Sequence, residues 1–466
     1  MQDELPNAGI PADHGLTSLG LVMQLGGSLL SAGAALLAFV SAFALTRGDS
    51  LWLFVILAVS VVRSLYHRMA GTELLYGRRN GFDGNTGSPL AGIHRYMIAA
   101  AAHTLLVAAI LKSELHESAP LVLGVALGLL AWPLVLGALF VIGPFKRFGK
   151  QIPVSEDKGF EGAAILMTML GACGALATTA IFVVLFQAGS EMQDGRSVLA
   201  MLALVMLVVR SCLHVQAGMA GLRETSIDRS VELANRYASF GVISAFCAGA
   251  VMLLVAITSH LNLAAMVGVA AACWLLMAWP MIIRRFFSDR QFADLLAGEN
   301  ATLHRRAPDA GLTGLGWLLL AHATFGASFL IPQLFSRQLP LHQLPFHQLF
   351  DMFGSSGLRS PWWNAGLIML EAWAGFEMIR MSRHHRAIAT IYGVVSAAVT
   401  LWVSWPVFDE IRHAHHVSLT NPEGLLMVTP LAIALVIPAA TLFLVGRNIA
   451  PTARARFRTR TSAPKG

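Results

Sequence analysis

Residues 65–75 read LYHRMAGTELL, residues 212–222 read CLHVQAGMAGL and residues 369–379 read MLEAWAGFEMI. Each stretch closes a hydrophobic run, and each places Ala-Gly three residues after a polar side chain: His67, His214 and Glu371. One unit is therefore expected three times in the chain, with an ionisable residue at a matching depth in each copy. Val-Val-Arg-Ser recurs at 61–64 and 208–211, so Arg63 and Arg210 stand four residues before their histidines, on the same helix face. Arg95-Tyr96 and Arg236-Tyr237 open the next hydrophobic run in copies one and two, and Tyr392 is the weaker match in copy three, which also has Leu367 where the arginines stand.

Composition sets the solvent. Of 466 residues, 56% are hydrophobic and 13% charged, with a mean hydropathy of +0.63. A soluble domain carries about twice that charge fraction. Runs of ~20 apolar residues, enough to cross ~30 Å of hydrocarbon as helix, are expected at about 18–46, 51–70, 95–112, 120–145, 162–188, 197–217, 237–259, 262–283, 311–334, 362–381, 387–408 and 424–446. The leader MQDELPNAGIPADHGLT holds no Lys or Arg and so lacks the basic start of a cleaved signal peptide. With the N-terminus inside, 25 Lys and Arg fall on the inner side against 6 outside, with Arg63 and Arg210 within spans. That asymmetry predicts N-terminus and C-terminus both in the cytoplasm and a place in the cytoplasmic (inner) membrane.

The expected fold is all-α: about twelve transmembrane helices arranged as three four-helix repeats that insert the same way up. They cover about 17–150, 160–290 and 311–447, between a leader at 1–16 and a basic tail at 448–466. Three four-helix units around a centre resemble, in layout, the trimeric MAPEG-type membrane enzymes. That family's polar second-helix signature, rich in Arg, His, Asn and Glu at close spacing, is not reproduced here. Trp132-Pro133 and Trp279-Pro280 look alike, yet they stand at different distances from the basic residues that follow, so the expectation leaves them unpaired.

The net charge of +7 needs no nucleic acid. A basic inner face beside anionic lipid accounts for it, and the tail RNIAPTARARFRTRTSAPKG reads as a lipid-contacting segment. The four cysteines, Cys173, Cys212, Cys247 and Cys273, lie in spans without a CxxC pair and read as small packing residues. The glycine-rich segment at 71–92 lacks the GxxxxGK[ST] pattern, which argues against nucleotide-driven work.

Ionisable groups inside a bilayer cost about 2.5–3.5 kcal/mol each at a helix centre, so they are present when paired, solvated or used. Two readings of the repeated set follow. In one, Glu371, His67 and His214 converge on a pseudo-threefold axis, with Arg63 and Arg210 as anion-attracting neighbours, and bind a substrate, ion, metal or proton. In the other, each residue packs its own four-helix unit. A second set is expected outside: His342 and His347 in the tandem LPLHQ-LPFHQ with Asp351, then Asp409, Glu410, His413, His415 and His416. A divalent metal is the cofactor His342, His347, His413, His415 and His416 could take, although an ordinary polar loop at the membrane surface is the favoured reading. His103 and His322 stand alone in their spans, without visible counterparts, and are expected to make helix–helix hydrogen bonds.

The first functional reading is a carrier or pore for a small solute, ion or proton. The alternatives are an intramembrane enzyme on four-helix units and a non-catalytic scaffold or sensor of extracytoplasmic metal or pH.

Overall fold

The computed structural model describes residues 15–45, 51–76, 91–113, 117–142, 160–189, 195–222, 227–258, 263–287, 310–335, 361–403, 405, 428–429 and 431–446. These residues are helical, joined by a few turns, with no strand among them. The helices are α1 (Leu16–Leu45), α2 (Leu51–Tyr76), α3 (Ala91–Ser113), α4 (Ala119–Gly137), α5 (Phe160–Gly189), α6 (Gly195–Leu222), α7 (Ile227–Thr258), α8 (Leu263–Phe287), α9 (Ala310–Phe335), α10 (Pro361–Arg380), α11 (His385–Val403) and α12 (Leu431–Gly446). Helices α1 to α7 are each long and apolar enough to cross a bilayer, and α12 is a shorter apolar helix. Bulky apolar side chains cover the outside: Ile98, Leu105, Phe246 and Met369 are each about 70% exposed. Water would penalise such a surface, whereas lipid would not. The chain is consistent with a helical membrane protein.

Helices α1, α5 and α9 touch one another at the centre. Their closest meeting is Ser18, Gly162 and Gly314: a Cβ on Gly314 would stand 2.8 Å from the Gly162 Cα and 2.9 Å from the Ser18 Oγ. Around this centre α2 packs on α1, α6 on α5 and α10 on α9. Helix α8 also reaches α1, and α4 reaches α9. One buried cluster joins α5 with α9 to α12 through Ile165, Leu315, Tyr392 and Leu444. Leu21 and Trp317 on the central helices are fully buried, so the middle of the molecule is packed with apolar side chains.

The Ala-Gly pairs explain the tightest helix contacts. Ala70, Ala217 and Ala374 are buried, and the following glycine lies directly on the backbone of the preceding central helix. A Cβ on Gly71 would meet the Gly20 carbonyl oxygen and the Gln24 amide nitrogen, both at 2.6 Å. On Gly218 it would meet the Ala164 oxygen at 2.7 Å and the Thr168 nitrogen at 2.5 Å. On Gly375 it would meet the Gly316 oxygen at 2.7 Å and the Leu320 nitrogen at 2.9 Å. In lipid there is little hydrophobic gain from helix association, so close backbone approach over small residues supplies the packing energy instead.

A short turn ties α10 to α11. Ser382 N donates to Glu377 O and Met381 N to Met378 O, each at 3.2 Å, closing α10 in a Schellman arrangement. Met381 occupies the left-handed position with φ 51°, where glycine is the usual residue. The turn brings α11 back along α10, which sets Tyr392 against Glu371.

A side chain at the Ala-Gly position has no space. Gly71→Val is expected to destabilise the protein by about 1–3 kcal/mol, the usual cost of overpacking. Gly366→Ala, whose Cβ would meet nothing within 4 Å, should be neutral. Thermal unfolding in detergent checks both; equal midpoints for Gly71→Val and wild type would refute the close-packing account.

Candidate functional site

Proline organises the polar groups of the first two segments. Pro133 lies inside α4 and Pro280 inside α8. Each lacks an amide hydrogen, so the carbonyl four residues earlier, on Leu129 and Leu276, loses its helical partner. Arg63 Nη2 donates to Leu129 O at 2.6 Å, and Arg210 Nη2 donates to Leu276 O at 2.5 Å. In a medium without water a freed carbonyl costs several kcal/mol unless a neighbour supplies a donor. The two guanidinium groups are those donors.

The tryptophan before each proline serves the histidine one turn along α2 or α6. Trp132 Nε1 donates to His67 Nε2 at 3.0 Å, and Trp279 Nε1 donates to His214 Nε2 at 2.8 Å. An indole nitrogen can only donate, so both imidazoles accept at Nε2 and, when neutral, carry their proton on Nδ1. Tyr96 lies beside His67 with ring centroids 4.7 Å apart, and Tyr237 stacks on His214 at 4.1 Å with an interplanar angle of 2°. Trp132-Pro133 and Trp279-Pro280 are therefore equivalent, which corrects the expectation that left them unpaired. Their shared register is to the histidines, 65 residues earlier in both cases; counting downstream fails because Arg284 and Arg285 follow Trp279 within the last turn of α8, whereas the first basic residues after Trp132 are Lys146 and Arg147.

His103 completes the first of these sets and makes the helix–helix bonds expected of it. Ser60 Oγ donates to Ile56 O at 2.8 Å, so its single hydrogen is spent there. His103 Nε2 must then donate to Ser60 Oγ at 2.9 Å, leaving Nδ1 to accept from Arg63 Nη1 at 3.2 Å. In the second segment Arg210 Nη1 is buried with no such partner.

The third segment is built differently. The Glu371 carboxylate is 7% exposed and takes hydrogen bonds from two neighbouring helices. Tyr392 on α11 donates its hydroxyl to Oε1 at 2.9 Å. His322 on α9 places Nδ1 2.9 Å from Oε1 and 3.1 Å from Oε2. At 1.5 Å rise per residue, Glu371 lies about 12 Å along α10 from Trp363 and about 13.5 Å from Arg380. Trp363 and Trp402 meet edge to face at 6.4 Å and are both exposed, as aromatic side chains at a membrane interface commonly are.

His67, His214 and Glu371 thus each find their partners within their own segment, and among the described residues no hydrogen bond, ion pair or ring contact links any two of them. No group of three or more His, Cys, Asp or Glu side chains is close enough to hold a metal among the described residues. His342, His347, His413, His415 and His416 lie outside the described residues.

Sequence reading placed Glu371 but missed what it binds. The packing of Gly71, Gly218 and Gly375 aligns His322 with Gly26 and Leu170 on the central helices, and a Cβ on Gly26 would lie 3.4 Å from His67 Cε1. His322 therefore occupies a site-facing position that is apolar in the other two segments, and polar residues alone could not reveal the match. Comparison with protein-family models, curated proteins and solved structures finds no match to this chain.

If Arg63 is present to satisfy Leu129 O, its value depends on Pro133. Arg63→Leu is expected to cost about 1–3 kcal/mol of stability in the wild-type background. In a Pro133→Ala background, where residue 133 regains an amide for Leu129 O, the same substitution should cost clearly less. A double-mutant cycle on detergent-solubilised protein measures the difference, and strict additivity would exclude this role.

Proposed function

We propose that the chain is a polytopic carrier of the cytoplasmic membrane for a small solute, ion or proton, with N-terminus and C-terminus in the cytoplasm, and that Glu371 is the centre of its transport site. The reading takes the protein as three four-helix units, about 17–150, 160–290 and 311–447, inserted the same way up around α1, α5 and α9. The matching contacts of Gly71, Gly218 and Gly375 support that division. So does the shared placement of Tyr96, Tyr237 and Tyr392 against the polar residue of the second helix.

One observation carries the assignment: a buried carboxylate near the middle of α10, held by a histidine on one neighbour and a tyrosine on another. An ionisable group at such depth is costly and in membrane proteins most often marks an ion or proton pathway. The apolar packing between α1, α5 and α9 argues against a path along the centre and favours one beside it, within the third unit. His67, His214, Arg63 and Arg210 take the supporting part, since each is tied to a tryptophan or to a proline-freed carbonyl.

Reconstitution of the full chain into liposomes tests this. Imposed gradients of H⁺, Na⁺ or K⁺, followed with trapped indicator dyes, are expected to give flux above protein-free vesicles for at least one ion. Glu371→Ala should reduce it by about tenfold or more, equivalent to at least 1.4 kcal/mol in the rate-limiting barrier. Gly366→Ala should retain it. Wild-type vesicles no leakier than empty ones, or Glu371→Ala vesicles as active as wild type, would overturn the proposal.

A further inference from the structure

Resting on the third-unit site just proposed, we infer that its ligand is a single exchangeable proton, relayed by His322 to the carboxylate of Glu371, and that the equivalent places in the first two units do not exchange one. The argument begins with the exchange of residue types at aligned positions. Where α1 and α5 present Gly26 and Leu170, α9 presents His322; where α2 and α6 present His67 and His214, α10 presents Glu371. At this pair of aligned positions each unit keeps one imidazole, but in the third it has moved to the central helix and a carboxylate has taken its place.

The consequence lies in what each imidazole can do. His67 and His214 have Nε2 occupied by an indole N–H, and both side chains are buried. Protonating either ring would place a hydrogen where Trp132 or Trp279 already donates, so the tryptophan bond would have to break. In the third unit Ile437 stands before Pro438, with no indole to offer. His322 has about half its side-chain surface open, at 49%, while the carboxylate behind it is closed off at 7%. The imidazole is thus the polar group through which Glu371 meets its surroundings.

The donor set is wrong for most other cations. Ca²⁺ takes six to eight oxygen ligands, and transition ions favour sets of three or four N, S or O donors. Here only two such ligands meet, the Glu371 carboxylate and the His322 imidazole, because Tyr392, the third member, is a phenol that donates its hydrogen to Oε1. Among the described residues, no other ionisable side chain bonds these three: α9 contributes His322, α11 contributes Tyr392, and Ser396 reaches the Tyr392 side chain. A proton needs only one acceptor at a time. In the relay a water-borne proton forms a new bond at His322 Nε2, the Nδ1–H bond breaks, and an O–H bond forms on Glu371. One proton has entered, the imidazole is neutral again, and the carboxylate has become a carboxylic acid. Release is the reverse. Tyr392 holds Oε1 in place throughout, as a positioning residue.

Infrared difference spectroscopy of the full-length protein in lipid, taken across a pH titration with H/D exchange, reads this directly. A carboxylic-acid C=O stretch should rise as the pH falls, be absent in Glu371→Gln and return at a shifted frequency in Glu371→Asp. His322→Gln should keep the band but slow its deuterium exchange by on the order of a hundredfold, the scale of a lost acid–base relay. Wild type and Glu371→Gln with identical spectra at every pH would overturn the proton assignment, as would unchanged exchange in His322→Gln. Because this readout needs no gradient, it separates the two proposals. Ion flux without the band leaves a carrier of some other ligand, and the band without flux leaves a proton site in a protein that is not a carrier.

Discussion

A backbone carbonyl in hydrocarbon must have a hydrogen-bond donor, and a proline in a helix takes one away. Much of the polar architecture of the first two segments follows from that constraint. Pro133 and Pro280 free Leu129 O and Leu276 O, and Arg63 and Arg210 answer them from the adjacent helix. In the first segment the arginine also donates to His103 on a third helix. One turn on, the tryptophan beside the proline reaches the histidine. One irregularity in the fourth helix of each segment thus ties it to the second, with the tyrosine of the third packed on the histidine between them. A charge that looks expensive in isolation is, in this setting, the remedy for a backbone defect.

The same comparison shows what the third segment lacks. Leu367 stands at the arginine position and Ile437 before Pro438, so neither the guanidinium bridge nor the indole bond is available. In their place are Glu371, His322 and Tyr392, a set joined only by polar hydrogens between ionisable groups. Two segments braced by fixed donors and one braced by titratable ones are a division of labour that sequence identity among the repeats would hide.

Legibility in the sequence followed the physics of each signal. The Ala-Gly motif was readable because close helix packing in lipid admits almost nothing but small residues, and Gly71, Gly218 and Gly375 do meet the backbone opposite. Apolar length was readable in part: twelve spans were expected, and among the described residues α1 to α7 are long and apolar enough to cross a bilayer. The tie between Trp132 and Trp279 was obscured by reckoning from the basic residues downstream, which follow at unequal distances; the constant separation is the 65 residues back to His67 and His214. His322 was beyond reach in another way. Its counterparts Gly26 and Leu170 share no chemistry with it, and only the stacking of three helix pairs on a common register shows that they face the same spot.

That register also sets what a change of charge at Glu371 would act against. The central helices meet at Ser18, Gly162 and Gly314 with no room for an added methyl, and each is clasped by a glycine contact from its partner helix. Movement in any unit would therefore be resisted at the centre by the other two. Units one and two add guanidinium and indole bonds that do not depend on protonation, since arginine stays charged at any accessible pH. A carboxylate in unit three then changes charge against a frame that does not. If Glu371 gains and loses a proton, the resulting electrostatic change falls on α9, α10 and α11, the helices that carry its partners, while α1 to α8 hold their arrangement. A molecule with three identical titrating sites would have no such fixed reference, and the departure from symmetry at Glu371 would supply one.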